Sequence, residues 1–244
     1  MHPEQLALFI VAILLVAFLY SSVGHAGASG YIAVMALFGM APATIKPIAL
    51  VLNILVACFG VWQFRRAGHF SWSLFWPFAL LSVPLAFVGG ALNLPAHAFR
   101  VAVGVVLLFS ALRFFIKPAE EERITPPTLP ASLGVGAGLG LMSGLTGTGG
   151  GVFLTPLLLF MGWARTRVAS GVSALFILVN SIAGLAGNLT ATSELPVIAG
   201  PLALAAVIGG WTGAYLGSKR FSVPLIRRLL AVVMVLAGCK LLWT

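Results

Sequence analysis

Two short stretches hold the residues whose types and spacing could do chemistry: GHAGASG at 24–30 and GLTGTGGG at 144–151. The first offers Ser22, His25, Gly27, Ser29 and Gly30 in or beside it; the second offers Thr146, Thr148, Gly149, Gly150 and Gly151. Both lie inside apolar sequence, and glycine costs a helix roughly 1 kcal/mol against alanine. Both therefore read as helix breaks. A break leaves the following helix with unpaired N–H groups and the positive end of its dipole. Glycines let an oxyanion approach such amides closely, and hydroxyls add neutral donors. The chemistry that suits the pattern is non-covalent binding of a small anion. His25 could pair with that anion when protonated, or carry a coupled proton; a neutral structural histidine is the alternative. Small residues at these spacings also serve close packing of membrane helices.

The composition sets the elements around them. The chain of 244 residues is 60% hydrophobic and 8% charged, where an ordinary soluble domain carries about 25% charge. This is the composition of an all-α polytopic membrane protein. Aspartate is absent, and Glu4, Glu120, Glu121, Glu122 and Glu194 all fall in a terminus or a polar break. Cation and proton pathways usually use carboxylates inside the membrane, so their absence from every apolar run favours an anion. The net charge of +9 is spread in short basic clusters between apolar runs. That placement orients membrane segments and does not build a nucleic-acid surface. Cys58 and Cys239 lie in apolar runs without metal-ligand spacing. The first run, LALFIVAILLVAFLY, lacks the positive leader of a cleaved signal and reads as a retained segment.

Apolar runs fall at 5–22, 30–41, 45–64, 71–93 and 98–116, then at 131–145, 150–162, 167–189, 195–218 and 225–243. The polar stretch KPAEEERITPPTLP, 117–130, divides them into an N-terminal membrane repeat at 1–116 and a C-terminal one at 131–244. Ser22, Ala26 and Gly30 match Ser143, Gly147 and Gly151 at one offset, and Gly89–Gly90 corresponds to Gly209–Gly210. Five segments per half make the copies inverted, as in many secondary transporters. The basic loops at Arg65–Arg66, Lys117–Arg123, Arg165–Arg167 and Lys219–Arg228 then share one side, the cytoplasmic one. The runs 30–41 and 150–162 reach only about 20 Å against roughly 30 Å of hydrocarbon, so they read as re-entrant or short broken helices. Inverted copies would bring both breaks together near the midplane. Asn53 and Asn180, inside the third run of each half, either face that cavity or join helices. Lys46, Arg165 and Arg167 flank the short helices, as electrostatic gates drawing anions inward or as interfacial anchors.

GLGLMSGLTGTGGGVFLTPLLLFMG, followed by RVASGVSALFILVNSIAG, resembles the signature of the sulfite exporter TauE/SafE family of permeases. Its pieces are the Gly149–Gly150–Gly151 run, Pro156–Leu157–Leu158, and a Gly-Thr-Ser-like element at Gly171–Val172–Ser173, where Val172 replaces the hydroxyl residue. The resemblance adds Ser173 to the candidate binding residues. It implies export of small sulfur-containing anions, sulfite or organosulfonates such as sulfoacetate, across the bacterial inner membrane, with no prosthetic group and no enzymatic step. The expected partners are that anion and the lipid bilayer, with a homo-oligomer left open. A passive anion channel is the nearest rival. GASG at 27–30 also matches the GxSG of rhomboid intramembrane proteases, but His25 is too near Ser29 to be the separate base.

Overall fold

Within a bilayer every backbone N–H and C=O must be bonded inside its own segment, and each apolar run meets that demand as a helix. A computed structural model describes residues 3–22, 26–115, 124–192 and 195–220, together with 232, 235, 236 and 238–243. Among them no strand occurs. The helices are α1 (Pro3–Ser22), α2 (Ala28–Leu37), α3 (Pro42–Arg66), α4 (Trp72–Ala91), α5 (Ala96–Phe115), α6 (Leu129–Thr146), α7 (Gly151–Phe160), α8 (Thr166–Thr192) and α9 (Ala199–Arg220). Most of the tenth expected run, 225–243, lies outside the described residues, as do His25 and residues 116–123.

Among the described residues, five helices (α1, α3, α4, α6 and α8) are long and apolar enough to cross a membrane. By length, α5 and α9 also reach about 30 Å. The protein is thus a multi-pass membrane protein. The two helices after the breaks have 10 residues each, or about 15 Å, so both are too short to span. The α2 boundary corrects the sequence reading. The helix starts at Ala28, so Ser29 and Gly30 stand in its first turn and not in the break.

α3 and α8 pack on each other at the centre. α4 and then α6 follow on the α8 side, while α9 and then α1 follow on the α3 side. The row α6–α4–α8–α3–α9–α1 reads the same from either end once the two halves are exchanged. Each half's first helix therefore lies against the other half's fourth.

Glycines make these contacts close. Gly136, Gly140 and Gly144 form a stripe on α6 at four-residue spacing, and a Cβ on each would collide with the carbonyls of Phe78, Ser82 and Ala86 on α4. Gly209 and Gly213 of α9 meet the carbonyls of Leu14 and Phe18 on α1 in the same manner. Lipid tails are as apolar as leucine, so this close van der Waals packing replaces the hydrophobic drive of a soluble core. The side chains between helices gather into two clusters. One holds Phe9, Tyr31, Met35, Ile48, Leu52 and Leu202, the other Phe75, Phe78, Leu154, Leu158 and Phe176. Outward-facing Leu8, Leu80, Val105 and Leu204 are exposed, as lipid contact requires.

Lys46 holds α3 to α4. It is 4% exposed, and its Nζ donates to the carbonyls of Gly89 at 3.0 Å, Gly90 at 2.7 Å and Leu92 at 2.9 Å. Those carbonyls end α4, where no further turn can bond them and where a cation suits the dipole. Lys240 does the same for α2, donating to Leu37 O at 2.9 Å.

Two outcomes test this packing. Gly140→Ala should destabilise the detergent-solubilised protein strongly, while Gly138→Ala, whose Cβ meets nothing within 4 Å, should leave its melting temperature essentially unchanged. Lys46→Met leaves three carbonyls without their donor and should cost about 1–3 kcal/mol, read as a lower melting temperature with the helical circular dichroism retained.

Candidate functional site

The second break is a tight, left-handed bend wedged between α3 and α8. Gly147, Gly149 and Gly150 have φ of 78°, 73° and 74°, a region that side chains other than glycine enter only at a cost. Gly147 ends α6, and Gly150 caps the start of α7. The α7 ladder begins where Phe153 and Leu154 both donate to Gly150 O. The amides of Gly149 and Gly150 stand ahead of it.

Asn53, near the middle of α3, fixes the bend by donating Nδ2–H to Gly147 O at 3.1 Å. From α8 come Ser173, Phe176, Ile177 and Ser181, whose spacing sets them on one helix face. A Cβ at Gly149 would lie 2.8 Å from Ile177 Cγ2, 2.9 Å from Ser181 Oγ and 3.3 Å from Asn53 Nδ2. A Cβ at Gly151 would collide with Ile177 and lie 3.1 Å from Ser173 O; one at Gly150 would meet the Phe176 ring and Ser143. Gly149 thus sits between Asn53 and Ser181. Asn180 occupies the same face of α8, its Nδ2 donating to Phe176 O at 2.9 Å.

Polar atoms without protein partners collect around the bend. Asn53 Oδ1, Asn180 Oδ1, Ser143 Oγ, Ser173 Oγ and Ser181 Oγ are buried and make no hydrogen bond within the described structure. Buried side-chain polar atoms are mostly paired, and an unpaired one costs about 1–3 kcal/mol. Five such atoms, four on the two central helices and Ser143 on α6, leave hydrogen-bonding capacity unspent beside the bend.

The candidate hydroxyls divide between two jobs. Thr146 Oγ1 donates to Met142 O at 2.6 Å and lies 3.0 Å from Thr148 Oγ1, so both hydroxyl hydrogens are engaged in holding the bend. The hydroxyls beside the bend that have no partner among the described residues are those of Ser143, Ser173 and Ser181. In the first break, Gly27 is left-handed with φ of 89°, and Tyr31 OH lies 2.8 Å from where its Cβ would be. Tyr31 is fully buried, and its hydroxyl has no partner among the described residues. Ser29 pairs with Tyr20 OH at 3.0 Å, and a Cβ on Gly30 would strike Tyr20 and Val16. Gly30 thus serves packing against α1. The side chain of Ser22 and all of His25 lie outside the described residues.

Sequence reading did not single out Ser143, Ser181 or Tyr31, whose buried hydroxyls lack partners among the described residues. Each sits in a run that looks uniformly apolar. For Ser181 a signal existed: it stands eight residues after Ser173, on the same helix face. The proposed gates separate. All three donors of Lys46 are spent on α4, so none is left for an ion in a vestibule. Arg165 and Arg167 are exposed. Arg167 lies 3.3 Å from His69 Nε2, tying the α3–α4 loop to α8. Arg165 lines an open cavity of about 520 Å³ with Trp76, Trp163 and Ser71, beside the starts of α4, α6 and α8. None of the residues around the second break lines that cavity.

Comparison with known proteins agrees that the chain is a membrane protein. The family described as "Sulfite exporter TauE/SafE" matches residues 9–241. The "Probable membrane transporter protein y4hK" of Sinorhizobium fredii (strain NBRC 101917 / NGR234) is 39% identical over 249 residues, covering the whole of both chains. The "Probable membrane transporter protein YunE" of Bacillus subtilis (strain 168) is 27% identical over 174 residues, 61% of each chain. No solved structure matches significantly. A family match over residues 9–241, a full-length relative and a bundle of membrane helices lead to one conclusion: the chain belongs to the TauE/SafE sulfite exporter family of membrane transporters.

Proposed function

We propose that the protein carries a small sulfur-containing oxyanion, sulfite or an organosulfonate, out across the bacterial inner membrane by alternating access, without an enzymatic step. The halves at 1–116 and 131–244, joined by the cytoplasmic linker 117–130, act as inverted copies. The palindromic order of helix contacts supports that reading.

One observation carries the site. The Gly147–Gly150 bend lies between Asn53 and Ser181, at mid-length of two buried membrane helices, with unpaired polar atoms around it. Irregular backbone at this depth is tolerated only where it is buried in protein or lines a wet cavity. The start of α7 contributes a positive dipole end, and Ser143, Ser173 and Ser181 contribute neutral donors. Gly27 and Tyr31 supply a matching donor pair at the first break. Binding by dipoles and hydroxyls holds an anion without fixing it, as a carrier needs. Arg165, at the cavity on the linker side, raises the local concentration of anions before they enter.

Export needs no coupling ion. Moving one negative charge out of a cell that is negative inside is downhill by about 2.3 kcal/mol per 100 mV.

Purified protein in proteoliposomes should take up sulfite saturably and show counterflow; a channel would show neither. Gly149→Ala strains a left-handed residue and fills the gap between Asn53 and Ser181. It should lower the initial rate by more than about tenfold while the protein still elutes as a folded species. Full flux in that folded variant would remove the break from the mechanism.

A further inference from the structure

The unpaired atoms say which anions the site prefers. A site made only for bare oxyanions would present donors alone. This one also presents acceptors. The Nδ2 of Asn53 is fixed by Gly147 O, and that of Asn180 by Phe176 O. Turning either carboxamide round would set oxygen against carbonyl oxygen, so the network assigns the free atom in each case as Oδ1. A carboxamide oxygen can only accept. Both residues are fully buried. Each oxygen calls for a donor that the described structure does not supply. A bare cation would suit these oxygens but would face the positive end of α7.

We infer that the site selects anions carrying their own hydrogen-bond donor, received by Asn53 Oδ1 and Asn180 Oδ1, while Ser181 and the α7 end receive the anionic oxygens. This rests on the transport reading above and narrows it. Favoured substrates are singly charged hydrogen oxyanions such as hydrogen sulfite, and hydroxy- or amino-sulfonates. Anions that offer acceptors alone, such as thiosulfate, sulfoacetate and simple alkanesulfonates, are disfavoured. A site built to bond a hydroxyl rejects the analogue lacking it, because its own buried polar groups are then left unpaired.

The test compares anions of equal charge and near-equal shape, in sodium-free buffer so that no sodium ion meets the amide oxygens. Isethionate and propane-1-sulfonate differ only by hydroxyl against methyl. Hydrogen sulfite and methanesulfonate form a second pair, run at mildly acidic pH. In proteoliposomes the wild-type protein should move the donor-bearing member of each pair at least about tenfold faster. Asn53→Leu and Asn180→Leu, checked for folded elution, should bring each ratio to about one. A merely structural role would slow both members alike and preserve the ratio. Equal wild-type rates within each pair, or an unchanged ratio in both folded variants, would overturn the inference while leaving the transport reading intact. If no anion of the four moves, both fall together. Wild-type melting temperatures in detergent supply a reading independent of the variants: isethionate should stabilise the protein and propane-1-sulfonate should not, and equal stabilisation would count against the inference.

Discussion

The hydrogen bond from Asn53 to Gly147 O is the contact on which the rest of the arrangement turns. A bend of three left-handed glycines releases backbone groups at a depth where lipid can satisfy none of them. Asn53 takes up one of those carbonyls from the opposite half of the chain. The bend is thereby held against α3, and Ser181 of α8 closes it from the other side. The bend keeps its irregular shape because two long helices, one from each half, grip it.

That grip depends on how closely the long helices approach. The glycine stripes on α6 and α9 bring backbones into contact with α4 and α1, and Gly90 of α4 meets Gly184 of α8 equally closely. Lys46 then ties the end of α4 to the start of α3 with three bonds. Many small residues therefore serve structure, and only a few are left for the site. Gly30 packs on α1, whereas Gly149 stands between two polar side chains whose remaining atoms have no partner. Their neighbours, and not the residue type, divide glycines that pack on apolar side chains from glycines that face unpaired polar atoms.

Much of this was legible in the sequence. Apolar runs without aspartate read as membrane helices, and the glycine-rich interruptions preceded two helices too short to span. Both features hold in the structure, and the family resemblance drawn from the second interruption holds across residues 9–241. The less legible features depend on distance between chain segments. Ser29 reads as part of a break, but α2 begins one residue earlier and turns it toward Tyr20. Thr146 and Thr148 read as donors to a ligand, yet they bond locally within the bend. Lys46 reads as a charge at the membrane face, and only the fold sets it below the end of α4. Ser181 shares a helix face with Ser173, but that spacing alone does not show what the face meets. Its meaning comes from Gly149, which is 32 residues away in sequence and adjacent in space.

The most direct measurement of the central claim is chemical access to the bend. With Cys58 and Cys239 replaced by serine, a single Ser181→Cys change would be treated in sided membrane vesicles with a membrane-impermeant methanethiosulfonate reagent. The expected result is labelling from an aqueous side that slows as isethionate is added. No labelling from either side, or labelling that the anion leaves unchanged, would mean that Asn53, Gly149 and Ser181 enclose a sealed packing joint and no binding site.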